Sequence, residues 1–213
     1  MMGASGAVGS CAVNELRAAG AQFVLLGRRA AAGQHVVDIH KPASYVQLLP
    51  GHRVAICTLG IGEPSKVSRE EYVRVDKTAV LAFAAACKAA GVEEFHLLSS
   101  VGADPRSPSW YLRVKGELEQ GLEALGFRRL GIFQPSMLLT PTNRYGLLQG
   151  ILLKVWPWLN PLLAGPLRKY RGVKVEDLGR AIARYALAAG PAGVQRLHWD
   201  DYAIISDTTR AGY

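Results

Sequence analysis

The feature that most restricts the possible folds lies at the start of the chain, where MMGASGAVGS places Gly3, Gly6 and Gly9 three residues apart. A glycine turn of this kind normally joins a buried strand to a helix. An alanine-rich segment over residues 7–19 continues with helical character, and Gly20 ends it. No residues before Gly3 remain to form the strand. We therefore expect the first strand of the fold to be missing from this chain, and the natural protein to begin upstream.

Short apolar runs alternate with helical stretches along the rest of the chain. Strands are predicted at residues 22–26, 35–37, 54–59, 95–99 and 130–134, and helices at residues 69–90, 110–125 and 175–189. This alternation predicts an α/β fold, a Rossmann-like doubly wound parallel sheet with helices on both faces. The length of 213 residues and the lack of a linker predict a single domain over residues 1–213, in which residues 140–213 contribute the substrate-side and C-terminal segments.

Composition argues against several kinds of site. The three cysteines, Cys11, Cys57 and Cys87, are odd in number and far apart, and the five histidines are scattered. Neither set has metal-ligand spacing, so we expect reduced thiols and no metal site. No basic stretch followed by an apolar one comes after Met1, so a cytoplasmic location is the expectation.

The formal net charge of +8 would suit an anionic partner. The densest basic run consists of Arg168, Lys169, Arg171 and Lys174, with Arg180 and Arg184 beyond it. It shows no interleaved base-stacking pattern and matches no nucleic-acid motif, so no nucleic-acid partner is expected. A solvated basic face is the favoured interpretation, and an anionic surface partner is the alternative.

The helix and strand that follow the glycine turn give it a chemical meaning. Glycines let the backbone approach a pyrophosphate, which then lies against the positive end of the helix. The spacing alone is equally compatible with a purely structural turn. Because a helix, a strand and the basic pair Arg28 and Arg29 follow in order, dinucleotide binding is the favoured interpretation.

The most specific stretch is FHLLSSVGADPRSPSWYLRVKGELE, in which Tyr111 and Lys115 are four residues apart. On a helix they share one face, and Ser99 and Ser100 end the preceding strand at the sheet edge where ligands bind. Such residues can run reversible hydride transfer: Tyr111 protonates the developing alkoxide, and Ser100 donates a hydrogen bond to the same oxygen. A Lys115 ammonium would favour the phenolate and hold the nicotinamide ribose. The Tyr–Lys spacing alone is commonplace on helices, so the interpretation depends on its context.

Taken together, the motifs resemble the atypical group of short-chain dehydrogenase/reductases, and most of all the Tat-interacting oxidoreductase branch and its bacterial relatives. The matching stretches run in order over residues 3–144: GASGAVG, LLGRR, the Asp38–Ile39 step, CTLG, YVRVDKTAVL, LLSSVGAD, YLRVKGELE and QPSMLL. The resemblance implies that the cofactor is NADP(H).

The resemblance also assigns residues to that cofactor. It implies contacts with the pyrophosphate from Ser5, Gly6, Ala7 and Val8, in the turn that also holds Gly3 and Gly9, and with the adenosine phosphate from Arg28 and Arg29. Further cofactor contacts are implied for Asp38 and Ile39, for Leu59 and Gly60 along the cofactor, and near its nicotinamide half for Leu138 and Arg144, beside Tyr111 and Lys115. One departure stands out. Asp76 lies where other short-chain dehydrogenases place a catalytic Asn, so their proton relay is not assumed.

The choice between NADP and NAD follows from what comes after the second strand. An NAD-specific domain of this type carries an acidic residue there to bind the ribose 2′-hydroxyl. Here Gly27 is followed by Arg28 and Arg29, and no Asp or Glu occurs before Asp38. A guanidinium can donate two hydrogen bonds to a 2′-phosphate, so NADPH is the expected cofactor. The alternative is that both arginines only increase solubility.

Residues 145–171 contain an apolar run that is too short to span a bilayer, which needs ~20 residues, and Lys154 and two prolines interrupt it. Trp156 and Trp158 with the basic tail could make a peripheral membrane contact through residues 147–171. Packing in the core, or forming the wall of a pocket for an apolar substrate, is the favoured interpretation.

These features predict an NADP(H)-binding oxidoreductase that acts on a small-molecule carbonyl or alcohol, for which an apolar compound is one option. The alternative, from another functional class, is an NADPH-sensing regulatory protein that binds a protein partner with little turnover. The set of Ser100, Tyr111 and Lys115 favours the enzyme. Asp76 and the lack of a defined substrate favour the sensor.

Overall fold

The computed structural model of the protein describes residues 1–140 and 163–206. Its helices are α1 (Ala7–Ala18), α2 (Arg69–Val73), α3 (Val80–Ala89), α4 (Trp110–Ala124), α5 (Val175–Leu187) and α6 (Trp199–Ser206). Its strands are β1 (Leu25–Gly27), β2 (Gln34–Val36), β3 (Val54–Cys57), β4 (Glu94–Leu98), β5 (Arg129–Phe133), β6 (Leu138–Leu139), β7 (Val173–Lys174) and β8 (Gly193–Leu197). The predicted strands and helices are all present, with ends shifted by up to three residues.

The strands form a parallel sheet, which confirms the α/β prediction. Strands β3, β4, β5 and β8 are neighbours in that order, and β1 pairs with β2. The two groups are joined through Met2, which forms parallel bridges with Leu26 of β1 and Cys57 of β3. Strands β6 and β7 form a separate short parallel pair. The carboxyl ends of the sheet strands therefore lie along one edge.

Met1 and Met2 occupy the place of the strand that the glycine turn requires. The Met2 amide donates to the carbonyl of Ile56 at 2.9 Å, and the Thr58 amide donates to the carbonyl of Met2 at 2.9 Å. On the other side, the Leu26 amide donates to the carbonyl of Met1 at 2.8 Å. Met1 and Met2 thus provide backbone pairing to both neighbouring strands, β1 and β3, at the position where a first strand was expected.

Helices cover both faces of the sheet, as the doubly wound arrangement requires. On one face, α3 and α4 bury Phe83 and Leu118 against the sheet residue Phe95. On the other face, α1 and α5 pack together, and a Cβ on Gly179 of α5 would lie only 2.5 Å from the Cβ of Cys11 on α1. This close crossing holds α1, and with it the glycine turn, against the sheet.

The helix predicted over residues 69–90 is divided in the structure. Between α2 and α3, residues Arg74–Ala79 form a π-helical turn. Extra residues in a helical turn rotate the side chains that follow, and such turns are frequent at functional sites. Here the turn buries Val75, Asp76 and Ala79 together. The wider turn brings the Asp76 carboxylate into the interior beside the edge of the sheet.

The segments that the sequence left unassigned include β8 and α6, which complete the sheet edge and cover its end. Within residues 1–140 and 163–206, no helix is long and apolar enough to cross a membrane. The same part of the chain holds no cluster of three residues that could ligate a metal ion. Most of the segment considered for membrane contact, residues 147–171, lies outside the described residues.

Candidate cofactor and active site

The glycine turn is built by close backbone contacts. Gly3 has φ +89°, and a Cβ on it would lie 2.4 Å from the Leu59 nitrogen. A Cβ on Gly9 would lie 2.2 Å from the Gly3 carbonyl oxygen. The Thr58 hydroxyl donates to that same oxygen at 3.0 Å. Side chains at Gly3 and Gly9 are therefore excluded by sterics, whatever binds at the turn.

The amino end of α1 is left open for an anion. Its N-cap residue, Gly6, provides no capping side chain, and the first turn contains no acidic residue. The first N–H groups of a helix have no partners within the helix, and the helix dipole is positive at this end. Within the described ranges, the one atom near the position of a Gly6 Cβ is the Gly3 carbonyl oxygen, at 3.4 Å. A pyrophosphate could therefore approach the backbone closely at Gly6.

A cleft of about 380 Å³ runs from this turn along the carboxyl edge of the sheet. It brings together ten of the predicted residues: Gly6, Ala7, Val8, Gly9, Leu59, Gly60, Ser100, Tyr111, Lys115 and Leu138. Residues that the sequence did not assign to the cofactor or the chemistry also line it, including Thr58, Asp76 and Ser136. The glycine turn and the proposed Ser–Tyr–Lys set thus share one cavity.

A second depression continues the cleft past the glycine turn, and we call it the adenosine end. Its walls include Gly3, Ser5, Arg28, Arg29 and Ile39. Arg28 and Arg29 are exposed. Among the described residues, neither guanidinium has a hydrogen-bond or ion-pair partner, so both remain available to an anionic ligand. The Gln34 side chain donates to the Arg29 carbonyl at 2.6 Å and fixes the loop that carries them.

Two predicted cofactor residues are not placed in this cleft by the structure. Asp38 is exposed and uses its carboxylate within its own turn, accepting from the His40 amide at 2.9 Å and pairing with Lys41 at 3.7 Å. Arg144 lies outside the described residues. Contacts of both residues with a cofactor remain predictions.

Lys115 and Asp76 form a buried ion pair at the other end of the cleft, which we call the nicotinamide end. The Lys115 Nζ lies 2.8 Å from the Asp76 Oδ1, and the Asp76 Oδ2 accepts from the Ile61 amide at 2.7 Å. Burial is the largest single influence on the pKa of Lys115 and would lower it, but the Asp76 carboxylate, together with smaller contributions from Tyr111 and Cys57, raises that pKa above the ordinary value. Lys115 is therefore an ammonium at neutral pH. Of its three N–H donors, Asp76 Oδ1 occupies one.

Tyr111 is partly exposed in the cleft and rests on two aromatic rings. Its ring centroid is 5.7 Å from that of Tyr72 and 6.4 Å from that of Trp110. Tyr72 and Trp110 themselves meet edge to face at 5.2 Å. These contacts fix the plane of the Tyr111 ring, so that its hydroxyl has a defined position beside Lys115.

A buried polar cluster, which we call the Glu119 cluster, holds the strand ends that border the site. The Ser99 hydroxyl donates to the Glu119 carboxylate, and the Gln134 amide donates to both carboxylate oxygens at 2.9 and 3.0 Å. Arg196 lies 3.4 Å from the same carboxylate. Burial raises the pKa of Glu119 despite these bonds. The cluster links α4, β4 and β5 directly behind Ser100.

Tyr72 and Glu119 were not predicted as site residues, because nothing in a helical sequence pattern distinguishes a buried polar side chain near a ligand from one in the core. The only available signal was the Ser99–Ser100 pair at a strand end. This pair indicated the edge of the sheet, but it gave no sign of Glu119, the residue of α4 that accepts from the Ser99 hydroxyl.

The basic run seen in the sequence is largely engaged within the chain. Arg168 pairs with Asp200 at 2.5 Å, and the Arg171 guanidinium donates to the Leu163 carbonyl at 2.8 Å. Arg184 pairs with Glu15 at 2.6 Å. Part of the charge in this run is thus compensated within the chain, and the solvated basic face stays a prediction.

Comparison with known proteins gives three kinds of match. A family described as NAD(P)H-binding matches residues 3–128, which is more than half of the chain. Protein HTATIP2 of Rattus norvegicus is 39% identical over 150 residues, covering 65% of this chain and 62% of that protein. The mitochondrial protein fmp52 of Emericella nidulans is 37% identical over 102 residues, covering 47% of this chain and 44% of that protein. The matched part of the chain thus spans less than two thirds of either relative.

Solved structures with the same fold are more distant in sequence. MoeE5 in complex with UDP-glucose and NAD has a TM-score of 0.72 at 21% identity, covering 98% of this chain and 80% of that chain. A short-chain dehydrogenase/reductase superfamily protein from Agrobacterium tumefaciens with bound NAD has a TM-score of 0.69 at 17% identity, covering 99% of this chain and 81% of that chain. These likenesses establish the Rossmann-type fold. The family match over residues 3–128 shows in turn that the chain belongs to the NAD(P)H-binding family, as its resemblance to the atypical short-chain dehydrogenase/reductases predicted.

Proposed function

We propose that the protein is an NADP(H)-dependent oxidoreductase that transfers a hydride between the cofactor and a small-molecule carbonyl or alcohol. The observation that carries the proposal is the shared cleft, in which Ser100, Tyr111 and Lys115 lie along the same cavity as the glycine turn. Family membership and the NAD named with two structural neighbours support a nicotinamide cofactor.

The residues of the cleft fit such a cofactor over its whole length. The uncapped amino end of α1 would hold the pyrophosphate through its free N–H groups, and the absence of a side chain at Gly6 leaves room for it. Arg28 and Arg29 would bind a 2′-phosphate at the adenosine end. At the nicotinamide end, the two Lys115 donors not bonded to Asp76 Oδ1 would serve the ribose hydroxyls.

The reaction chemistry would divide between the cofactor and three side chains. The bound nicotinamide supplies or accepts the hydride. Tyr111 gives its phenolic proton to the substrate oxygen during reduction and takes one back during oxidation. Ser100 donates a hydrogen bond to the same oxygen, and the Lys115 ammonium favours the phenolate that Tyr111 leaves.

A panel of aldehydes, ketones and quinones, each with NADPH and with NADH, together with the nucleotide sugar UDP-glucose with NADP+ and with NAD+, tests this proposal. UDP-glucose is included because it is named with the neighbour MoeE5. We expect NADPH oxidation with at least one carbonyl class, and loss of that activity in Tyr111→Phe. If the protein binds NADPH tightly but neither oxidises it with any of these carbonyl compounds nor reduces NADP+ or NAD+ with UDP-glucose, the result would contradict the oxidoreductase proposal.

That outcome would favour the second candidate, an NADPH-sensing protein with little turnover. Its specific support is the ion pair between Lys115 and Asp76. The Asp76 carboxylate compensates the charge of the Lys115 ammonium, which would otherwise favour the Tyr111 phenolate most strongly. This candidate predicts that NADPH changes the affinity for a protein partner. Pull-down with and without NADPH would measure that change.

We also propose a cytoplasmic location, although the name of the relative fmp52 places that protein in mitochondria. A fluorescent fusion examined together with a mitochondrial marker would distinguish the two locations.

A further inference from the structure

Tyr72 carries a polar group that the proposed mechanism does not use. The side chain is 0% exposed, and its hydroxyl has no hydrogen-bond partner among the described residues. A buried hydroxyl without a partner is unfavourable, and in native proteins such groups call for an explanation. Because Tyr72 lies against Tyr111, it is a candidate for a role in the active site.

Two polar groups lie near this hydroxyl. The Asp76 carboxylate and the Tyr111 phenol both add to the raised pKa of Tyr72, for which burial is the largest cause, yet neither is in hydrogen-bonding geometry with it. The Asp76 charge is already compensated, since one oxygen is paired with Lys115 and the other accepts from the Ile61 amide. A negative charge on the Tyr111 oxygen would be less compensated, so that oxygen is the neighbour that would gain most from a hydrogen bond donated by Tyr72.

The charged groups around Tyr111 come from several elements. Lys115 lies on the same helix, α4, and its Nζ is 6.0 Å from the Tyr72 ring centroid. Asp76 comes from the π-helical turn, and Arg69 of α2 lies over the Trp110 ring at 5.4 Å. On β3, burial raises the pKa of the Cys57 thiol to about 11, so it is neutral. Beside these groups, Tyr72 contributes a neutral hydroxyl on a fully buried side chain.

We propose that Tyr72 is a positioning residue whose hydroxyl donates a hydrogen bond to the Tyr111 phenolate. It thereby stabilises the state of Tyr111 that exists after the phenolic proton has been given to the substrate. Since the raised pKa of Tyr72 keeps its own proton in place, it remains a donor when Tyr111 ionises. The catalytic meaning of this contact rests on the proposed oxidoreductase function, whereas the contact itself is a property of the protein alone.

The test is an NMR titration of the protein labelled with ¹³C at the tyrosine Cζ. Comparison with Tyr111→Phe assigns the Tyr111 resonance among the eight tyrosines of the chain. Tyr72→Phe keeps the ring and removes the donor, so we expect the pH at which Tyr111 ionises to rise by about one unit, since loss of a hydrogen bond to the charged form disfavours that form. Removing an unpartnered hydroxyl leaves the packing unchanged, so the variant should fold.

Tyr45→Phe is the matched control. Tyr45 is also 0% exposed with an unpartnered hydroxyl, but it packs against Phe83 in the core, with ring centroids 5.9 Å apart. We expect no change in Tyr111 ionisation from this variant. An unchanged or lowered midpoint in Tyr72→Phe, or an equal rise in both variants, would overturn the proposal. The titration needs neither substrate nor cofactor, so a failure to find turnover would count against the proposed function and not against this contact.

Discussion

The two ends of the cleft are built in opposite ways. At the nicotinamide end, the functional ammonium of Lys115 is buried and already paired with Asp76 at 2.8 Å. At the adenosine end, Arg28 and Arg29 are exposed and, among the described residues, have no ion-pair partner. One end is assembled before any ligand arrives, and the other presents free charge to solvent.

The comparison indicates which end of the cleft supports the reaction and which end selects the cofactor. Chemistry benefits from dipoles and charges that are fixed in advance, because they need no reorganisation during the reaction. Recognition of a terminal phosphate can be left to exposed cations, which act at modest strength and are sensitive to salt. We therefore expect substitutions at the nicotinamide end to change rate or stability strongly, and those at the adenosine end to change only cofactor choice.

The largest effect is expected from Tyr111→Phe. Loss of a positioned proton donor costs a factor of about 10²–10⁴ in rate, while the ring contacts with Tyr72 and Trp110 are kept. Turnover of any carbonyl that the wild type reduces should fall by this factor, and NADPH affinity measured by fluorescence should change little. Full activity in this variant would show that another group is the proton donor.

The next largest effect is expected from Asp76→Asn. Removing one partner of a buried ion pair leaves the other charge uncompensated, at a cost of about 3–5 kcal/mol in the free energy of unfolding. Urea unfolding measures it. The double variant Asp76→Asn with Lys115→Met should recover much of this loss, since it leaves no uncompensated buried charge, while the side-chain oxygen of the introduced asparagine can still accept from the Ile61 amide. A single variant as stable as the wild type would mean that the pair is not buried as described.

The stability effect of Asp76→Asn is also expected to depend on pH. Because the folded-state pKa of Lys115 is raised above its ordinary value of 10.5, the stability it contributes is fully present below that value. The contribution is lost as the pH rises through the folded-state pKa. The stability difference between wild type and Asp76→Asn should thus be constant near neutrality and shrink at more alkaline pH. Urea unfolding repeated at several pH values would reveal any opposite trend.

A smaller effect is expected at the adenosine end. We predict that the wild type prefers NADPH over NADH by at least about tenfold, or about 1.4 kcal/mol, and that replacing both Arg28 and Arg29 by Ala removes the preference mainly by weakening NADPH. Arg17→Ala, an exposed substitution at the opposite end of α1, is the charge control and should leave the preference intact. Equal binding of both cofactors by the wild type would overturn the assignment.

The smallest effect concerns salt. Exposed charges are screened, with a Debye length of about 10 Å at 0.1 M and about 3 Å at 1 M ionic strength. Raising the salt concentration should therefore reduce NADPH affinity more than NADH affinity in the wild type, and equally in the variant lacking Arg28 and Arg29. An identical salt response for both cofactors in the wild type would indicate that the arginines do not contact the 2′-phosphate.

The sequence predicted the elements whose patterns are local. The glycine turn, the Tyr111–Lys115 spacing and the Ser99–Ser100 strand end each require particular residues within a few positions. Their meeting in one cleft followed from the parallel order of the strands, because carboxyl ends share one edge.

What the sequence could not predict depends on contacts between distant segments. The helical pattern of residues 69–90 gave no sign of the π-helical turn, since its buried side chains are specified by α4 and the sheet. The pairing of Asp76 with Lys115 joins residues 39 positions apart. Strand β8 was missed because most of its side chains are exposed or partly exposed, so no apolar run marks it.

The Glu119 cluster holds the strand end that carries Ser100, so that the position of Ser100 does not depend on the loop between Ser100 and Tyr111 alone. Ser100 is fixed through Ser99 and through the Val101 amide, which donates to the Pro135 carbonyl at 2.9 Å, and Tyr111 is fixed by α4. The loop itself is tied to α4, where the Asp104 amide donates to the Leu112 carbonyl at 3.2 Å and the Arg113 guanidinium donates to the Ser107 carbonyl at 2.9 Å. Only its exposed tip at Arg106 is therefore a replaceable rim, able to acquire insertions and new substrate preferences while the reaction centre stays intact. Lengthening it should leave NADPH affinity and Tyr111 ionisation unaltered, and a shift in either would show that the rim is mechanically coupled to the centre.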